Sequence, residues 1–257
     1  MSNLKSLAKD TAIYGVSSIV GRFLNYLLVP LYTIVALSAQ SGGYGTITNI
    51  YSWTALMLVL LTFGMETGFF RFANKPDADP LRVYSTTLLS VGAVALSFIV
   101  ICLLLLQPIA GVLGYGEHPW YVGMMVVVVG MDAVQSIIFA YLRYRRRPIR
   151  FAALKLLFIG LNIALNLLYY VGLKGTDVGY AFSINLVCTA IVMLFMLPEL
   201  RGFRYVLDRA LLRRMLRYSF PLLILGLAGI LNQTADKMLF PFIYPKQAGD
   251  GLVQLGI

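Results

Sequence analysis

Several polar side chains of this chain stand inside long apolar runs, and their types define the chemistry on offer. Arg22 lies in DTAIYGVSSIVGRFLNYLLVPLYTIVAL, residues 10–37. At ~1.5 Å per residue, a helix begun at Asp10 carries Arg22 ~18 Å inward, near the middle of a hydrocarbon core roughly 30 Å thick. A guanidinium keeps its proton, so at that depth it must face a carboxylate, water or an anionic ligand. Two readings follow: Arg22 pairs with Glu66, or Arg22 and Asn25 line a polar cavity and meet a negatively charged substrate. Glu66 itself lies on the second run, ~7.5 Å inside Arg71, and is a candidate to face either Arg22 or that substrate. Asp132 falls near the middle of the fourth run, where a carboxylate is relieved by taking up a proton or a cation; it is the candidate for coupling to a proton or sodium ion. Asn162 and Asn166, at i and i+4, share one helix face, and amides that both donate and accept suit sugar hydroxyls. The plainer reading of the asparagines and of Asp132 is hydrogen bonding to a facing helix.

Such residues need elements to position them, and composition says which kind. With 59% hydrophobic residues, 12% charged residues and a mean hydropathy of +0.80, the chain of 257 residues reads as an integral membrane protein. Its apolar runs are continuous and about twice the ~10-residue alternating strands of an outer-membrane barrel. Helices are the remaining spanning structure, so the fold class is all-α. Spans are expected over 10–37, with a kink at Pro30, and from about 47 into the phrase GMETGFFRFANK. Further spans are expected over about 84–106, 120–142, 151–171, 180–197 and 221–243. Gly64 and Gly68 bracket Glu66 at a spacing that lets another helix approach closely. Over 203–217, Phe203, Leu207, Leu211, Met215 and Tyr218 form an apolar stripe opposed by arginines, which predicts an amphipathic helix on the membrane surface.

The net charge of +10 does not point to nucleic acid, because the basic residues sit in alternate loops. Lys5, Lys9, Arg71, Lys75, Arg82, RYRRRPIR, Lys155 and the arginines of 201–217 fall on one side, and only Lys174 and Lys246 on the other. The bias places the N-terminus in the cytoplasm. The basic runs orient the chain and attract anionic lipid headgroups; Arg71 and Arg143 stand at the cytoplasmic entrance, where guanidinium forks would suit a diphosphate. Outer loops are short, and no loop clusters the acids and histidines of an enzyme acting on polyprenyl-linked sugars, so the chain is read as a non-enzyme. A seven-span receptor or retinal protein is set aside because its N-terminus would lie outside. Cys102 and Cys188 lie in apolar runs without metal-ligand or disulfide spacing, so no metal site and no cofactor beyond a possible coupling ion is expected. MSNLKSLAKD lacks the apolar core and cleavage site of a removable signal.

The phrases LKSLAKDTAIYGVSSIVGRFLNYLLVPLYT, YGTITNIYSWTALMLVLLTFGMETGFFRF, AYLRYRRRPIRFA and LRYSFPLLILGLAGILNQTADKMLF resemble, in order and spacing, bacterial Wzx-like polysaccharide flippases. These belong to the superfamily of multidrug, oligosaccharidyl-lipid and polysaccharide exporters. The resemblance implies two six-helix lobes joined by a cytoplasmic linker and working by alternating access in the bacterial cytoplasmic membrane. Residues 1–200 would form the first lobe, 201–218 the linker helix and 219–257 the start of a second lobe, making the chain the first part of a longer transporter. The implied substrate is an oligosaccharide on undecaprenyl diphosphate, with Arg22 at the position of a first-helix arginine in related lipid II flippases. The rival within the superfamily is a multidrug or cation antiporter, which prefers an acidic cavity.

Overall fold

A computed structural model describes Gly15 and residues 28–36, 43–201 and 205–243. Arg22, Asn25 and most of the first expected span lie outside the described residues. The fold is all-α, with no strand among the described residues. Its elements are α1 Leu28–Pro30, continued as a π-helix over Leu31–Ala36; α2 Gly43–Thr62; α3 Met65–Ala73; and α4 Pro80–Leu104. Then come α5 Leu106–Val112; α6 Pro119–Tyr144; α7 Pro148–Leu167 with a π-turn Leu168–Gly172; α8 Gly179–Met196 with a 3-10 turn Leu197–Leu200; and α9 Arg209–Ile243. Among the described residues six helical segments are long and apolar enough to cross a membrane: α2 with α3, α4, α6, α7, α8 and α9. The chain is thus a multi-pass membrane protein.

Local chemistry explains where these helices start and break. Pro80, Pro119 and Pro148 each open a long helix, where a missing N–H would have had no helical partner anyway. Asp79 caps α4 by accepting from the backbone N–H of Leu81 at 3.0 Å and of Arg82 at 3.4 Å. Beyond Pro30 the helix widens into π geometry, consistent with the donor that proline removes. The second span is interrupted at Phe63 and Gly64, both with positive φ (51° and 67°). That break lies where α9 crosses: a Cβ on Gly64 would sit 3.1 Å from Leu222 Cβ, and one on Gly68 only 2.8 Å from Ser219 Oγ. The close approach expected at these two glycines is therefore present, and α9 is the helix that makes it.

The bundle is organised around α6, which packs against α2, α4 and α8 and also touches α3, α5 and α7. In its most apolar stretch 67% of residues are buried, against 17% for α9 at the periphery. Small residues permit this: Ala133 and Ala140 are fully buried, and a Cβ on Gly130 would collide with Ile99. Toward the basic end, Tyr84 stacks on Tyr141 at 3.9 Å, and Phe69 meets the edges of Tyr84 and Tyr144. Since lipid tails are as apolar as leucine, such packing and a few buried hydrogen bonds hold the helices together. One of these joins α2 to α9, with Asn49 Nδ2 donating to Lys237 O at 2.6 Å and Asn49 Oδ1 accepting from Tyr115 at 2.9 Å.

The separate surface helix expected over 203–217 is replaced by a different arrangement. Residues 205–208 are non-helical and are held by α4: Val206 N–H donates to Ser85 Oγ at 2.7 Å, and Asp208 N–H to Thr86 Oγ1 at 3.2 Å. Asp208 then caps α9 through Leu211 N–H at 2.9 Å, and the helix runs unbroken through Pro221 to Ile243. An apolar stripe says that one face is covered, not by what. Here Leu211 and Met215 are buried against the bundle rather than lipid, with Met215 Sδ 3.9 Å from Thr87 Oγ1. The Leu211 N–H, and after it the Arg82 guanidinium 2.9 Å away, hold the Asp208 carboxyl below the usual carboxylate range.

A polar cavity beside Asp132

Two adjoining cavities open inside the bundle and share Asp132 and Phe158. The larger, about 430 Å³, is bounded by α1, α2, α6, α7 and α8 and receives Tyr32, Thr48, Tyr51, Asp132, Asn162 and Asn185. The smaller, about 210 Å³, receives Asp132, Gln135, Ser136 and Lys155. Asp132 comes from the midpoint of α6, ~18 Å from either end of that helix, so the polar space lies at mid-depth.

Hydrogen bonds between helices fix most of the cavity wall. Tyr32 donates to Asn166 Oδ1 at 2.7 Å, and Asn166 Nδ2 donates back along its own helix to Asn162 O at 2.8 Å and Oδ1 at 3.1 Å. The two π segments meet here, with the Tyr32 and Tyr170 rings edge to face at 5.7 Å. Such turns recur at functional sites because they shift side chains off the regular helical register. On the opposite wall Gln135 Nε2 donates to Thr189 O at 2.9 Å, Thr189 to Asn185 Oδ1 at 3.3 Å, and Asn185 Nδ2 to the Tyr51 hydroxyl.

Asp132 differs from these neighbours. Half-buried at the junction of the cavities, it has no hydrogen bond or ion pair among the described residues. Lys155, across the smaller cavity, rests its ammonium 4.2 Å from the centre of the Phe139 ring. An acid and a base thus line the same small cavity without forming an ion pair within 4 Å.

The residues singled out in the sequence divide accordingly. Asp132 and Asn162 line the cavity, whereas Asn166 is fully buried behind the wall, where it positions Tyr32 and Asn162. Glu66 forms an ion pair with Arg143, so it is satisfied without Arg22. Arg143 also faces the Phe70 ring at 5.2 Å, and Arg71 lies 4.3 Å over Tyr218. These three therefore take up protein contacts at the basic end of the bundle, away from Asp132. The sequence reading missed Tyr32, Tyr51, Asn185 and Lys155. Asn185 carried the same signal as Asn162, a polar residue in an apolar run. Lys155 counts among the cations of the basic side by sequence, but with Pro148 opening α7 it lies ~10 Å into the helix. The tyrosines carried no signal, since a tyrosine is equally at home in a core or at an interface.

On α9, Asn232, Gln233 and Asp236 form an exposed polar stripe within a span otherwise rich in leucine and isoleucine. No protein-family model matches the chain, and no curated protein or solved structure does so either.

Proposed function

We propose that this chain is part of a membrane transporter that moves a polyprenyl-diphosphate-linked oligosaccharide across a bacterial cytoplasmic membrane, with its N-terminus in the cytoplasm. The observation that carries the reading is the mid-depth cavity in which Tyr32, Tyr51, Asn162 and Asn185 surround Asp132, which has no ion-pair partner among the described residues. Tyrosine hydroxyls and asparagine amides offer both donors and acceptors, as a glycan passing through an apolar barrier requires. Polar surface of this kind is costly in hydrocarbon and is retained where water or a polar solute must pass. The exposed stripe of α9 supports the same reading, because Asn232, Gln233 and Asp236 need water or further protein beside them rather than lipid. The sequence phrases supply the substrate class, and Arg22 is the residue proposed to meet its diphosphate. The concentration of arginine at the end carrying Arg82, Arg143 and Arg147 supports a cytoplasmic location for that end.

A cation antiporter is the second reading, favoured by the Asp132 carboxylate, which lines the cavity without an ion-pair partner among the described residues. One experiment separates them. Full-length protein in proteoliposomes is supplied either with a fluorescent polyprenyl-diphosphate oligosaccharide in one leaflet or with an organic cation on one side. The proposal expects the labelled lipid to reach the other leaflet; cation movement with no lipid movement would replace it by the antiporter.

A further inference from the structure

At the basic end, away from the Asp132 cavity, a pocket of about 220 Å³ is lined by Leu81, Tyr141, Arg145, Arg147, Pro198, Glu199 and Arg201. Its guanidinium groups come from two stretches of chain: Arg145 and Arg147 from the turn between α6 and α7, and Arg201 from the end of the turn that follows α8. The fold, rather than the run RYRRRPIR alone, brings them together. Between Arg145 and Arg147, Arg146 takes a left-handed backbone conformation (φ 50°) and does not line the pocket. The floor is Tyr141, stacked on Tyr84, and the Tyr84 hydroxyl lies 3.5 Å from Glu199 O.

Charge in this pocket is unbalanced. Glu199, its only acidic lining residue, is 7% exposed and is already engaged by Arg147 at 3.5 Å and by Arg150 Nε at 2.6 Å. The Arg150 contact is one of charge rather than a hydrogen bond, since its N–H is not aligned on the carboxylate. Arg145 and Arg201 have no carboxylate partner among the described residues. Two guanidinium groups without a carboxylate partner among the described residues, Arg145 lying 6.0 Å from the centre of the Tyr141 ring, and a third shared with Glu199 thus line a void at one end of the spans.

We infer that this pocket binds a phosphate group. Forked guanidinium donors match the tetrahedral array of phosphate oxygens, and a phosphate supplies the negative charge that a single glutamate leaves unmet. The apolar rim of Leu81 and Pro198 and the location favour a lipid headgroup over a soluble phosphate as its source. Arg147 is the residue such a group would contest with Glu199. Nothing in this inference depends on the transport reading, so the two stand or fall separately.

The test titrates the full protein, in neutral detergent at about 0.5 M salt, where charges a few ångströms apart and beyond are screened. The titrants are phosphatidylglycerol, phosphatidylcholine and inorganic phosphate, and apparent affinity is read from the shift in unfolding midpoint. Phosphatidylglycerol is expected to stabilise the protein and phosphatidylcholine not to. Stabilisation by inorganic phosphate as well would assign the pocket to soluble phosphate. The double change Arg145→Gln with Arg201→Gln should weaken binding about tenfold, in line with two lost charge-assisted contacts. Arg146→Gln with Arg213→Gln, which removes the same charge outside the pocket, should leave affinity within about twofold, since only screened long-range attraction is lost. Glu199→Gln should tighten binding by releasing Arg147. An equal loss in the two arginine double variants, or no stabilisation by either phosphatidylglycerol or phosphate, would overturn the inference.

Discussion

At the basic end of the bundle Glu66 meets Arg143, Glu199 meets Arg147 and Arg150, and Asp208 meets Arg82; at mid-depth Asp132 meets no cation within 4 Å among the described residues. The acids of the first region tie α3 to α6, α7 to the end of α8, and α4 to the start of α9, which Asp208 also caps. Their charges are neutralised close to the membrane surface, where solvent and long arginine side chains make pairing cheap. The acid of the second region stands where pairing would be worth most, yet the fold leaves it open to a cavity. A paired charge is accounted for by structure alone, whereas an unpaired one at such depth calls for a solute or ion. The comparison therefore separates residues that hold the lobe together from the one that the transport reading needs.

Substitutions can sharpen or break that separation. The largest expected effect is on activity: Asp132→Asn should slow gradient-driven transport by about tenfold or more while the unfolding midpoint stays at the parent value. A variant that transports normally, or one that unfolds, would place Asp132 with the structural acids. Glu199→Gln should do the reverse, lowering stability by about 1–2 kcal/mol, because it strands two half-exposed arginines beside a buried site, with the cavity untouched. Denaturant or thermal unfolding in detergent reads this directly. Tyr51→Phe should cost about 1 kcal/mol or less, since it removes the hydroxyl that receives the Asn185 amide, and should lower substrate affinity rather than gradient response. The smallest effect belongs to Asp208. Its carboxyl is held below the ordinary value, so its contribution is complete above about pH 4 and fades as pH falls through the lower folded value. Asp208→Asn should flatten that acid limb of the stability profile, lowering stability slightly at neutral pH and leaving stability at strongly acid pH nearly unchanged.

Much of this architecture is legible in the sequence because hydrocarbon imposes simple demands. Continuous apolar runs mark the spans of α4, α6, α7 and α8, and prolines mark where three of the long helices begin. The pair Gly64 and Gly68 announces a close crossing, although not that α9 makes it. Partners are less legible, since depth and helix face fix where a charge sits but not which distant residue arrives beside it. Depth offers Glu66 one partner, Arg22, and the fold supplies Arg143 from another direction. Lys155 counts by sequence only toward the charge bias, and the helix start at Pro148 is what sets it deep enough to line a cavity with Asp132. The amphipathic stretch before Pro221 shows the same limit: periodicity identified the covered face of α9, and only tertiary packing could say that α3 and α4 cover it.

The central claim, that Asp132 opens onto a polar space reached by water inside the lobe, is tested most directly by thiol accessibility. With Cys102 and Cys188 replaced by alanine, single cysteines are placed at Asp132, at the fully buried Ala133 one residue on, and at the exposed Arg146. A small membrane-impermeant thiol reagent should modify Asp132→Cys and Arg146→Cys but spare Ala133→Cys. Protection of Asp132→Cys to the same degree as Ala133→Cys, with Arg146→Cys fully labelled, would contradict the account and return Asp132 to the packed core.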